Sequence, residues 1–166
     1  MGHFPDAIAS LQAEGEQATL RFRPLYESRY VCVMRRDHPL AGRPLTLDNY
    51  CAARHLLVTF SGRAHGFTDQ ALMAMGRQRR IVLTVNQFAT AGRVVVDSDL
   101  LTVLPLSFLG ATGVPSELVT RALPFSLPPI QVAMVWHMRQ DEVPAQRWLR
   151  DLVTQARVPE APPPLW

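Results

Sequence analysis

The stretch from Arg80 to Pro105, RIVLTVNQFATAGRVVVDSDLLTVLP, restricts the fold more than any other part of the chain. Ile81, Leu83 and Val85 alternate with Val82 and Thr84 in a β-branched run, the pattern of a buried strand. Asn86-Gln87 interrupts that run. From Phe88 the apolar residues recur at helical spacing, with Phe88, Ala91 and Val95 forming one stripe. Ser98-Asp99 supplies the next turn, aspartate being one of the few non-glycine residues that tolerate a left-handed backbone. Leu100 to Leu104 then returns as an apolar strand that Pro105 ends. Strand, helix and strand at this length predict a right-handed parallel crossover. In open α/β sheets ligands bind beyond the carboxyl ends of such strands, which here means Asn86 to Thr90 at a helix amino end.

Flanking segments supply further elements. Ala18 to Tyr26 and Tyr30 to Met34 read as strands, and Thr46 to Ala53 as a short helix with Thr46 as its N-cap. His55 to Phe60 is another strand, followed by the polar loop Ser61-Gly62-Arg63-Ala64-His65-Gly66. Phe67 to Met75 has helical spacing; Gly76 closes it, and Arg77, Arg79 and Arg80 suit its negative carboxyl end. Leu118 to Leu123 and Ile130 to Met138 read as strands, with Pro124, Pro128 and Pro129 marking an extended crossing between them. Asp141 to Ala156 is the clearest helix, with Pro144 in its first turn and Trp148, Leu149, Leu152, Val153 and Ala156 as its buried stripe. The last ten residues, RVPEAPPPLW, predict a proline-rich disordered tail.

The chemistry on offer is narrow. All 17 basic residues are arginine, so neither a Schiff-base lysine nor the phosphate-binding lysine of a P-loop is available. The net charge is +3, yet Arg35-Arg36 and Arg79-Arg80 are the only paired arginines, so nothing marks a nucleic-acid surface. Cys32 and Cys51 lack metal-like spacing, and no HExxH or GxGxxG occurs; neither a metal nor a cofactor is expected. Ser61 follows a strand, but residue 59 is threonine, so no nucleophile elbow forms. MGHFPDAIAS lacks the basic segment and apolar run of a signal peptide, and Leu100 to Val114 is too short and broken to span a bilayer. The expectation is a cytoplasmic protein.

Two strand-to-helix junctions remain, Ser61 to Phe67 and Asn86 to Thr90. If their strands are neighbours, both helix amino ends face one crevice and attract an anion. Ser61, Arg63, His65, Asn86 and Thr90 would add donors and Phe88 an aromatic wall, a combination suited to a small anionic aromatic ligand. The competing reading is that these polar residues only cap their own helices.

Taken together, MGHFPD, LYESRYVCVMRRDHPLAG, LTLDNYCAARHLLVTFSG, RRIVLTVNQFATAGRVVVDSDLLTVLP, LPFSLPPIQVAMVWHMR and PAQRWLRDLV resemble the effector-binding domain of LysR-type transcriptional regulators, in their NodD/NahR-like branch. That branch responds to flavonoids, salicylate and other aromatic compounds. The resemblance implies an α/β fold like the type 2 periplasmic binding proteins, two α/β lobes joined by a crossover hinge. Residues 55–122 would form the second lobe, and 1–54 with 123–157 an incomplete first lobe, with 158–166 as the tail. The effector would sit between the lobes, touching Ser61, Gly62, Phe88 and Thr90 of the second lobe and His3 and Phe4 of the first, with Trp136 and His137 on the returning strand; His65 joins them from its loop. The promoter-binding winged helix-turn-helix, its linker helix and the opening of the first lobe have no counterpart here, so DNA would be reached only through a part outside this chain. Homo-oligomerisation is expected of the full-length regulator.

The leading expectation is therefore an effector-sensing, non-catalytic domain that modulates transcription. The alternatives are a small hydrolase with Cys32 or Ser61 as nucleophile, and a fragment without activity of its own.

Overall fold

Strands built from β-branched and aliphatic residues organise the chain, and where they pair decides which residues share a surface. The structure, a computed structural model, describes residues 19–60 and 66–156. Its strands are β1 (Leu20–Ser28), β2 (Tyr30–Arg35), β3 (Arg54–Val58), β4 (Arg80–Val85), β5 (Leu100–Pro105), β6 (Leu118–Ala122) and β7 (Ile130–His137). The helices are α1 (Leu47–Ala52), α2 (Phe67–Ala74), α3 (Phe88–Val96) and α4 (Pro144–Gln155). The described chain divides into two compact units, 19–28 with 129–156, and 29–128. The proposed tail lies outside the described residues.

The larger unit is a five-stranded sheet in the order β4-β3-β5-β2-β6. β3 runs parallel to β4 and to β5, while β2 runs antiparallel to β5 and to β6. The expected crossover therefore exists, but β3 lies between its two strands. Residues 29–54, placed by expectation with the first lobe, are tied through β2 to β5 and β6 and belong to the same unit as 55–122.

Alternation along β2 builds two cores. Val31 and Val33 pack with Val95 of α3 and Leu104, whereas Cys32 and Met34 pack with Tyr50 of α1 and Leu72 of α2. Because successive strand side chains point to opposite faces, α3 covers one face of the sheet and α1 and α2 the other. Gly92 lets α3 approach closely: a Cβ there would stand 2.6 Å from the Thr112 Cβ. After β5 the chain makes 3-10 turns at Leu106–Phe108 and Gly110–Thr112, and Gly113 ends the second with φ 75°. The Ser98-Asp99 turn departs from expectation, since no described non-glycine residue has positive φ. Ser98 instead donates from Oγ to the Val94 carbonyl at 2.6 Å and accepts from the Leu100 N–H at 3.3 Å, while Asp99 takes the Arg35 guanidinium.

The smaller unit pairs β1 and β7 antiparallel, with a register shift between Pro24 and Tyr26, where proline cannot donate to the ladder. Its helix α4 reverses an expectation. Trp148, Leu149, Leu152, Val153 and Ala156 are exposed, Trp148 to 64%, and the one buried residue of the helix is Arg150. That guanidinium donates to the Gln140 and Asp141 carbonyls at 3.0 and 2.6 Å and lies 4.8 Å from the Trp136 ring centroid. Those contacts orient the helix by its polar side, and among the described residues nothing covers the apolar stripe.

Candidate functional site

Strand direction gathers the candidate residues. With β3, β4, β5 and β6 all parallel, their carboxyl ends share one sheet edge with the amino end of β2. The register agrees: Val58 lies opposite Val85, Tyr30 opposite Pro105, and Val31 opposite Ala122. β3 and β4 are thus the neighbours that the two-junction reading required, and Thr59 donates to the Val85 carbonyl at 2.9 Å where they end.

Aromatic side chains collect along this edge. Phe60, 72% exposed, meets Phe88 with ring centroids 5.6 Å apart, and Phe88 meets Phe108 at 5.1 Å. Tyr30 stacks obliquely on Phe67 at 4.6 Å. Phe88 is the first residue of α3 and is anchored against the core beneath it; Thr90, two residues on, is exposed. Ser61, Gly62, His65, His3 and Phe4 lie outside the described residues.

The two helix amino ends differ electrically. At α3, Gln87 makes no side-chain cap bond and no acidic residue stands in the first turn, so the uncapped N–H groups keep their partial positive charge. At α2 the chain supplies its own anion: Asp69 accepts from the Gly66 N–H at 2.7 Å. Its carboxylate also takes the Arg79 Nε and Nη2 at 2.7 and 3.1 Å, and both side chains are nearly inaccessible, at 8% and 2%. This corrects two expectations. The α2 amino end is already neutralised, and Arg79 serves its first turn rather than its carboxyl end. A glycine followed three residues later by an acid resembles the spacing of a capping box and was the available signal. α2 and α3 also lie on opposite faces of the sheet, so their amino ends share an edge rather than a single seat.

Trp136 and His137 belong to the smaller unit, and local bonds hold both. The Trp136 Nε1 donates to Asp141 at 2.9 Å, and the His137 Nδ1 accepts from the Arg139 N–H at 3.1 Å. Cys32 is fully buried in β2, and burial pushes its thiol up to about 12 despite the nearby Arg79 charge. A thiol so held is protonated at neutral pH and is not a nucleophile. Among the described residues no three His, Cys, Asp or Glu side chains group to hold a metal, and no helix is long and apolar enough to cross a membrane.

The sequence matches the LysR substrate binding domain over residues 6–157. The chain belongs to that family. It is 35% identical over 131 residues to the HTH-type transcriptional activator NahR of Pseudomonas putida, covering 79% of this chain and 44% of NahR. It is 34% identical over 133 residues to the HTH-type transcriptional activator NagR of Ralstonia sp, covering 80% of this chain and 44% of NagR. The regulatory domain of MexT, a transcriptional activator in Pseudomonas aeruginosa, superposes with a TM-score of 0.71 at 34% identity, over 82% of this chain and 67% of that one. The fold is accordingly of the type 2 periplasmic-binding-protein kind. The chain spans under half the length of NahR and NagR.

Proposed function

We propose that this chain is the effector-sensing part of a transcription regulator and binds a small anionic aromatic compound at the carboxyl edge of its five-stranded sheet. One observation carries the reading: the uncapped amino end of α3 opens among Phe60, Phe88 and Phe108 at the edge where parallel strands end. Aromatic walls select a flat ring, and the free N–H groups favour its negative substituent. Phe88 and Thr90 are the residues we assign to that contact, and Ser61, Gly62 and His65 are added to them from the sequence alone. The two compact units are this chain's share of the two lobes. In the longer regulator, ligand bound preferentially to one conformation would shift the population toward it and alter contacts made at DNA by a helix-turn-helix outside this chain. Assembly of that regulator into a homo-oligomer belongs to the same proposal.

Calorimetric titration with salicylate, benzoate and neutral benzyl alcohol tests the reading. The acids should release heat where the alcohol does not, and Phe60→Ala, which removes an exposed ring, should weaken them by about five-fold. Absence of heat across a broad panel of aromatic acids would refute it.

A further inference from the structure

The three rings at the carboxyl edge are not held alike. Phe60 follows β3, Phe88 begins α3 and Phe108 follows β5, with Phe88 in the middle of the row. Phe108 sits in the 3-10 turn Leu106–Phe108, and the chain on both sides of it is fixed. The Leu106 N–H donates to the Arg29 carbonyl at 2.9 Å, and the Leu109 N–H to the Leu106 carbonyl at 3.1 Å. The Leu109 carbonyl also accepts from the hydroxyl of the buried Thr112 at 2.6 Å. Leu106 and Leu109 both pack against the core under α3, and Thr112 lies against Gly92 of that helix. Phe108 is half-buried against Phe88, and its backbone cannot give way without unseating both leucines.

Phe60 is the opposite case. It lies two residues past the end of β3, is exposed, and meets Phe88 edge-on. A ring so exposed turns between rotamers within nanoseconds, at little cost in contacts.

We propose that Phe108 sets the size of the effector, as a rigid wall against which the bound ring is measured, while Phe60 yields. The inference rests on the effector reading above and adds to it the side chain that discriminates one ring from two. Removing Phe60 opens no space that its own rotation does not already give, so it weakens aromatic acids of either size alike. Removing Phe108 opens space that the anchored turn otherwise denies. A second fused ring brings apolar area that would tighten binding on a yielding surface, so its rejection is the mark of a fixed wall.

Calorimetric titration of the whole chain with benzoate and 2-naphthoate tests this. The wild-type chain should bind naphthoate no tighter than benzoate. Phe108→Ala should raise the affinity for naphthoate relative to benzoate by about ten-fold, and Phe108→Leu, which keeps apolar bulk in the turn, by about three-fold. Phe60→Ala should weaken both acids and leave their ratio unchanged. A wild-type chain that prefers naphthoate, a ratio unchanged in the Phe108 variants, or one that rises in Phe60→Ala instead would overturn the role of Phe108 while leaving the effector reading intact. Failure of the wild-type chain to bind any aromatic acid would overturn that reading, and this inference with it.

Discussion

His55 should make the larger unit lose stability in mild acid, and the size of the loss follows from its surroundings. The imidazole is fully buried at the start of β3, its ring 4.6 Å from that of Tyr50. Nε2 lies 2.8 Å from the Tyr50 carbonyl, so the neutral ring carries its proton there, and the buried Nδ1 has no partner. A second proton would enter an apolar pocket close to the Arg79 guanidinium. Burial, reinforced by that charge, lowers the His55 pKa from 6.5 to about 4, against the opposing pull of the Tyr50 carbonyl and Asp69. The folded state thus binds fewer protons than the unfolded chain between those two values. Stability is full above pH 6.5 and falls as pH drops toward 4. At pH near 5 the linkage amounts to about 2 kcal/mol, rising to about 3 kcal/mol once both states are protonated.

Urea unfolding at pH of about 8 and about 5 measures this, followed through the Leu56 and Leu57 amides because Trp136 and Trp148 report on the other unit. His55→Phe keeps a ring of similar size and cannot titrate. It should cost about 1 kcal/mol at the higher pH, through the bond lost at the Tyr50 carbonyl, and should remove most of the difference between the two pH values. His38, whose pKa burial also lowers, is present in both proteins and cancels in the comparison. If wild type and His55→Phe lose the same stability between the two pH values, the argument from burial is wrong.

Asp69→Ala strands the buried Arg79 charge and should cost roughly 3–5 kcal/mol, read as a lowered urea midpoint. Gly92→Ala drives a methyl into the Thr112 backbone and should cost about 1–3 kcal/mol, whereas Gly42→Ala, with open space around it, should leave the midpoint near its wild-type value. Leu152→Gln should change stability by under about 0.5 kcal/mol and reduce binding of a hydrophobic dye, because α4 turns that residue outward.

How far the fold can be read from residue order depends on whether a signal is local. Thr46 accepts from the Asn49 N–H at 3.3 Å as an N-cap should, and α3 begins at Phe88, where the apolar period changes. Both signals lie within one turn of chain. That β3 slots between β4 and β5 is not local: all three strands are short aliphatic runs, and nothing in their composition orders them across the sheet. The α4 stripe misleads for a related reason. Helical spacing of Trp148, Leu149, Leu152 and Val153 identifies an apolar face, but whether that face meets a core depends on what the rest of the unit offers. Here the Trp136 ring and the Gln140 and Asp141 carbonyls recruit Arg150 instead.

The same limit applies with more force to charge. Seventeen arginines spread through the sequence suggest a diffuse positive surface, yet several of them are held by aspartates. Arg79 is matched by Asp69, Arg35 by Asp99, Arg77 by Asp48, and Arg23 by Asp151. The exposed pairs contribute little to stability, but each lowers the field that an approaching anion meets. At the carboxyl edge proposed to bind the ligand, the uncapped end of α3 keeps its partial positive charge. That end does not stand out in the sequence: it differs from the α2 end only because the corresponding position in α2 holds Asp69. An anion at the proposed site would therefore meet backbone N–H dipoles rather than a full charge. Affinity for an aromatic acid should accordingly fall only weakly as ionic strength is raised, and a steep salt dependence in the calorimetric titration would instead assign the acid to a free guanidinium.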